Sequence, residues 1–195
     1  DLVATSLTKY TAHEGDVIAG AVAVNAARPD AAELRALVTA QLEPVHGRDL
    51  ARLAAQIGAT ADVVARINAT TLKVAAFLES HPAVAQVWWA HQPATKDNYL
   101  KIARTPASPG CMISFTLKGP LAKFYDAVRL PKGPSFGMTT TLISPFVYLA
   151  HYDLVTSEAG RAELAAHGLS PDLLRLCLGT EPVDGIIAAL AEALG

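Results

Sequence analysis

The sequence predicts an α/β chain whose later part is an α+β unit, an antiparallel sheet covered by helices. Three observations carry this expectation. Short apolar runs, Leu2-Val3-Ala4 and Val17 to Val24, flank a polar turn, and continuous runs of this kind suit strands buried on both faces. From Leu50 to Leu78 apolar residues recur every three or four positions, the period of an amphipathic helix. Between Cys111 and Leu117 apolar and polar residues alternate, the period of a half-buried strand. Strands and helices then alternate with few residues for parallel crossovers, which favours antiparallel pairing with helices packed on one face.

The elements follow in order. Leu2 to Ala4 and Val17 to Val24 read as strand, turn, strand. Asp30 followed by Glu33 is a capping-box pattern, and Leu34, Leu37 and Val38 give the ensuing short helix its apolar face. His46-Gly47-Arg48-Asp49 is a second turn and helix start. The long stripe is Leu50, Leu53, Ala54, Ile57, Ala61, Val64, Ile67, Thr71, Val74 and Leu78, with Arg52, Arg66 and Lys73 largely off it. Gly58 is the point at which that run kinks or splits, and Ser80-His81-Pro82 ends it. Val84 to Trp89 reads as a short strand, with one Trp toward the core and the other toward the surface. Pro93 to Pro109 reads as a loop. Cys111, Ile113, Phe115 and Leu117 form the inner face of the next strand, and Leu121, Phe124 and Val128 that of a short helix. Leu173 to Leu178 is another strand. Thr180 and Pro182 open the last helix, whose stripe is Val183, Ile186, Ile187, Leu190 and Leu194.

Composition narrows the function. Hydrophobic residues make up 51% and charged residues 17% of the 195, which is core-rich material, and the formal net charge is -2. A nucleic-acid partner would want a clustered basic face. No apolar run reaches the roughly eighteen residues of a membrane span, and no signal-peptide pattern is present. Cys111 and Cys177 give no disulfide framework and fit the reduced cytoplasm. His46, His81, His91 and His151 lie singly in unlike contexts, so no metal site is expected.

Two residues stand out chemically. Lys9 follows Ser6-Leu7-Thr8 in the turn between the first two strands. An amine held in a dry pocket becomes a nucleophile, and hydroxyls can donate to a phosphate, which together is what pyridoxal phosphate requires. By spacing alone, a lysine after a strand is more often a solvated turn residue. Arg175 is a lone cation inside Leu173 to Leu178. Burying an unpaired guanidinium is costly, so it should face an anion. A substrate carboxylate, an internal Asp or Glu, and a water-facing strand all answer that need.

Several segments resemble one family. Ser6-Leu7-Thr8-Lys9-Tyr10 with Asp16-Val17-Ile18-Ala19-Gly20 resembles the cofactor-lysine segment of the pyridoxal-phosphate enzymes of cysteine and methionine metabolism. These include cystathionine gamma-synthase, the cystathionine lyases, methionine gamma-lyase and O-acylhomoserine sulfhydrylase. Ser135-Phe136-Gly137-Met138-Thr139-Thr140-Thr141-Leu142 resembles the family's Ser-Leu-Gly segment, and Leu174-Arg175-Leu176-Cys177-Leu178-Gly179-Thr180-Glu181 its Arg-Leu-Ser-Val-Gly segment. The matches occur in family order from end to end.

The resemblance implies a fold and a chemistry. Residues 1–60 would be the end of a fold type I (aspartate aminotransferase-like) pyridoxal-phosphate domain, and residues 61–195 the small C-terminal α+β domain. Lys9 would carry the cofactor as the internal aldimine and then move protons between substrate carbons. Ser6 and Thr8 would bind the phosphate, Arg175 the substrate's α-carboxylate, and Ser135 would orient that carboxylate. The reaction would be a trans-sulfuration step, a gamma-replacement or a beta- or gamma-elimination on a small amino acid, in a cytoplasmic homo-oligomer (dimer or tetramer) without nucleic-acid or membrane partners. The family lysine lies mid-chain, whereas here it is residue 9, and the sequence starts at Asp1. The chain is therefore expected to be the C-terminal half of a longer enzyme and inactive alone, lacking the upstream phosphate loop, stacking aromatic, ring-nitrogen aspartate and neighbouring-subunit Tyr/Arg pair. The alternative is a catalytically inert fragment or truncated homologue that serves as a fold or interaction unit. Three departures from the family pattern are His13-Glu14-Gly15-Asp16 for Gly-His-Ser-Asp, Thr140 for a glutamate, and Ile143-Ser144-Pro145-Phe146 for a His-Pro pattern.

Overall fold

Two apolar runs with a polar turn between them fold as an antiparallel ribbon, β1 (Leu2–Ser6) and β2 (Gly20–Val24), in register from Leu2 opposite Val24 to Ser6 opposite Gly20. The structure, a computed structural model, describes residues 1–195. The chain divides into two compact units, Asp1–Ala61 and Asp62–Gly195.

In the first unit the ribbon corrects the sequence expectation. Its strands are not buried on both faces: every residue of β1 is exposed, Val3 by 66%. A lone two-stranded ribbon offers a single layer, and α1 (Ala31–Gln41), which follows it, buries none of its own residues. β2 starts at Gly20 because Val17 turns inward instead, forming a small core with Ala12 and Leu53. The capping box at α1 is also corrected. Asp30 occupies the cap position without a side-chain cap bond, because Arg28 Nε and NH2 both donate to its carboxylate at 2.7 Å. That charge-assisted fork is stronger than a neutral N–H cap. α2 (Gly47–Gln56) starts where expected, its first turn capped by His46, whose Nδ1 accepts from Arg48 N at 3.3 Å. The long stripe splits at Gly58: a 3₁₀ turn, Ile57–Ala59, separates α2 from α3 (Thr60–Ser80).

The second unit is built on a four-stranded antiparallel sheet of β3 (Val84–Trp89), β4 (Met112–Leu117), β5 (Leu142–Pro145) and β6 (Leu174–Cys177), in the order β3-β4-β6-β5. Val74, Ala75 and Leu78 of α3, Phe124 of α5 (Leu121–Ala127) and Ile186 and Leu190 of α9 (Val183–Leu194) share one core with Ile113, Phe115, Ile143, Leu174 and Leu176 of the strands. This is the antiparallel, helix-covered sheet read from the sequence.

Pairing across the sheet sets a row of opposed residues, Trp88, Ser114, Arg175 and Ser144. Because side chains alternate along a strand, this row points away from the helix-covered face that Ile113, Leu176 and Ile143 supply. Both tryptophans are half-buried. Trp89 packs on the core with its Nε1 donating to Glu79 at 2.7 Å, and Trp88 lines a small cavity with Ser114, Leu169 and Leu173. Alternation thus puts Trp89 on the core face and Trp88 on the opposite face, as expected, and residues 168–173 leave Trp88 half-buried rather than open to solvent.

Beyond the expected elements the chain forms β5 and the short helices α4 (Lys96–Leu100), α6 (Phe146–Ala150), α7 (Tyr152–Thr156) and α8 (Glu158–Ala166), and α4 interrupts the loop expected from Pro93 to Pro109. α7 and α8 meet at Gly160, where a Cβ would collide with the Leu154 backbone. Val147, Val155 and Leu164 form the small core beneath them.

Candidate functional site

The sequence-predicted residues fall into two groups, Ser6, Thr8 and Lys9 in the first unit and Ser135 and Arg175 in the second. β1 ends at Ser6, which is exposed, and the chain enters a tight loop closed on Ala19. Leu7 N and Thr8 N both donate to Ala19 O, at 2.9 and 3.3 Å, and Ala12 N donates to Leu7 O at 3.0 Å. Thr8 Oγ1 accepts from Ala19 N at 3.2 Å and lies 3.4 Å from Ala19 O. Lys9 is half-buried in this loop, and Tyr10 after it has φ 49, a left-handed conformation that bulky residues seldom adopt. The strained residue turns the chain immediately after the lysine.

Helix α2 fixes the far side of the same loop. Glu14 N donates to Gln56 Oε1 at 2.9 Å, Gln56 Nε2 donates to Asp16 Oδ1 at 2.8 Å, and Ile18 N donates to Asp49 Oδ2 at 3.2 Å. Arg52 pairs with both Asp16 and Glu14. The Gln56 amide, and after it the Arg52 guanidinium, hold the Asp16 carboxyl below the ordinary carboxylate range, and Asp16 in turn raises Arg52. Asp49, Arg52 and Gln56 lie three and four residues apart, so they share one face of the helix with Leu53. The apolar stripe of the sequence gives no sign of this clamp, because Asp49, Arg52 and Gln56 lie beside its periodic positions. Glu14 and Asp16, which sit in the segment that departs from the family pattern, are the residues α2 grips.

The donor set fits a phosphorylated aldehyde cofactor. It comprises one amine, the Ser6 hydroxyl, and the Thr8 hydroxyl, whose contact to Ala19 O is long and readily exchanged for a phosphate oxygen.

In the second unit Arg175 sits at the centre of the row Trp88, Ser114, Arg175, Ser144. Its guanidinium lies over the Phe146 ring, 4.0 Å from Cζ to the centroid, and its NH2 donates to Pro134 O. No carboxylate of the chain pairs with it. The internal salt bridge open at the sequence level is thus not formed, and the guanidinium retains donors for an anion from elsewhere. Pro134 immediately precedes Ser135, so the bond to its carbonyl brings Ser135 and Arg175 into one neighbourhood.

The Ser135 loop is stitched to the chain after β6. Thr180 N donates to Thr139 O at 2.8 Å. Thr141 N and Oγ1 both donate to the Glu181 carboxylate, at 2.5 and 2.8 Å, and Gly179 N donates to Thr141 Oγ1 at 2.9 Å. A Cβ at Gly179 would meet Thr139 O, Thr141 N and Glu181, so only glycine permits the approach. Phe146, Glu181 and the Pro134 carbonyl were not foreseen. Their roles come from strand register rather than from any sequence spacing.

The family model described as Cys/Met metabolism PLP-dependent enzyme matches residues 1–195. An L-2-amino-4-chloropent-4-enoate dechlorinase/desaturase of Streptantibioticus cattleyicolor is 39% identical over 193 residues, which is 99% of this chain and 39% of that protein. A cystathionine gamma-synthase of Neurospora crassa is 31% identical over all of this chain and 31% of its own length. The crystal structure of the cystathione gamma lyase CalE6 of Micromonospora echinospora superposes with a TM-score of 0.81 at 27% identity, covering 100% of this chain and 50% of that one. The chain therefore spans half or less of these relatives.

Proposed function

This chain belongs to the family of Cys/Met metabolism PLP-dependent enzymes, and from that premise we propose that it is the C-terminal part of an enzyme that breaks a bond to a substituent on the side chain of a small amino acid. The observation that carries the proposal is Arg175, a guanidinium braced by Phe146 and the Pro134 carbonyl with no carboxylate of its own chain. Residues 1–60 act as the end of the cofactor-binding large domain and residues 61–195 as the small domain, in a homo-oligomer. The 195 residues alone are inactive.

Lys9 is the amine that holds the pyridoxal phosphate. Ser6 and Thr8 donate hydroxyl protons to its phosphate, and α2 keeps the lysine loop in shape through Gln56 and Arg52. Pyridoxal phosphate, when bound, supplies an electron sink for the bond broken at the substrate's α carbon. Arg175 binds the α-carboxylate with a two-pronged fork, and Ser135 orients that group. Lys9 Nζ takes the α proton as base and returns a proton further along the side chain.

The relative with 39% identity carries a name that puts the departing chlorine on the γ carbon, which supports departure of a γ substituent in this protein. Gamma-elimination and gamma-replacement both begin with that departure, and beta-elimination, which uses the same residues, is the competing outcome. The test is to supply the full-length protein and pyridoxal phosphate with 2-amino-4-chlorobutanoate or 3-chloroalanine and to measure chloride. Faster release from the 4-chloro compound is the expected result. Faster release from 3-chloroalanine would refute the γ assignment.

A further inference from the structure

Ser144 is directly opposite Arg175 in the β5–β6 pair, so their side chains rise from the same sheet face with Cβ atoms about 5 Å apart. Ser144 is 1% exposed, and its Oγ has no hydrogen-bond partner. The buried Nε of Arg175 also has none. Buried polar atoms are rarely left unpaired. Here two complementary ones, an acceptor-capable hydroxyl and a charged donor, are left so on neighbouring residues.

We propose that Ser144 is a positioning residue for Arg175, its hydroxyl accepting from Nε when the guanidinium swings to meet a substrate carboxylate. The count of donors supports this. A guanidinium has five N–H groups. One NH2 proton goes to Pro134 O and the Nε proton goes to Ser144. Three remain on NH1 and NH2, enough for a two-pronged carboxylate. The ring of Phe146, two residues after Ser144 at the start of α6, packs on the guanidinium, so the β5–α6 junction supplies both the ring face and the hydroxyl that orient the fork. This inference rests on the assignment of Arg175 to the substrate carboxylate.

The experiment measures equilibrium binding of norleucine, which has no γ leaving group, and of pentylamine, its counterpart without a carboxylate, to the full-length cofactor-loaded enzyme. Ser144→Ala and the near-isosteric Ser144→Cys should each weaken norleucine about three- to tenfold, the worth of one hydrogen bond, and leave pentylamine unchanged. In an Arg175→Lys background the same substitutions should add nothing. Unchanged norleucine binding in either Ser144 variant, or equal losses for both ligands, would overturn the role of Ser144 while leaving that of Arg175 intact. Unchanged norleucine binding in Arg175→Lys alone would instead remove the reading on which the inference rests.

Discussion

Arg175→Lys keeps the positive charge and removes the planar fork, so it isolates what geometry contributes. In the structure the guanidinium is held by one charge-assisted bond to Pro134 O and by the Phe146 ring. A lysine ammonium cannot make both and present two parallel donors as well. The loss at the substrate is one charge-assisted hydrogen bond, about 1.5–3 kcal/mol, or roughly ten- to 150-fold in kcat/KM for amino-acid substrates. The loss of ring contact adds about 0.5–1 kcal/mol of local destabilisation at a partly exposed site. The assay is steady-state kinetics at saturating pyridoxal phosphate, with a cofactor titration followed by visible absorbance in the same variant. Cofactor affinity should barely change. If cofactor affinity collapses while kinetics at saturation stay normal, Arg175 belongs to the cofactor pocket or the fold and the reasoning fails.

Other outcomes follow from particular contacts. Glu181→Gln should lower the unfolding midpoint of the second unit, because Thr141 N and Oγ1 both donate to that carboxylate. An amide offers only one oxygen, leaving a cost of about 1–3 kcal/mol in a denaturant titration, and an unshifted midpoint would show the stitch to be idle. His91 is buried against Trp89 and Tyr99, and burial, then Lys96, lowers its pKa. A histidine whose folded pKa is depressed contributes stability above its unfolded pKa of about 6.5 that is lost as pH falls through the folded value. His91→Gln should therefore flatten the fall in melting temperature below pH 6.5, and an unaltered acid limb would count against the burial argument. Cys111 and Cys177 are both buried, and the Cys111 thiol, together with burial, pushes the Cys177 thiol far up. Neither should react with iodoacetamide until denaturant unfolds the chain, and fast labelling of the native protein would contradict this.

The second unit was legible because its cues are local. Alternation from Cys111 to Leu117 and the stripe from Val183 to Leu194 each fix an inner face within one element, and both inner faces meet in the core. β5 was not, since it is four residues long and ends on Pro145, too short for alternation to register. The ribbon of the first unit shows the opposite limit. Its apolar residues gave the strands correctly, yet burial depends on a second layer that no residue of β1 or β2 specifies. The capping box failed at Asp30 because Arg28, two residues earlier, competes for the same carboxylate. In the candidate site, Lys9 and Arg175 stood out as single residues in unusual company. Their supports, Gln56, Arg52, Phe146 and the Pro134 carbonyl, are ordinary in their own segments and acquire meaning only through tertiary register.

The decisive measurement locates the lysine that takes the cofactor. The full-length protein is loaded with pyridoxal phosphate, reduced with borohydride, digested, and its peptides weighed. A phosphopyridoxyl mass is expected on the peptide containing Lys9, and its loss, with the fold retained, in Lys9→Ala. Label on another lysine while the Lys9 peptide stays unmodified would contradict it.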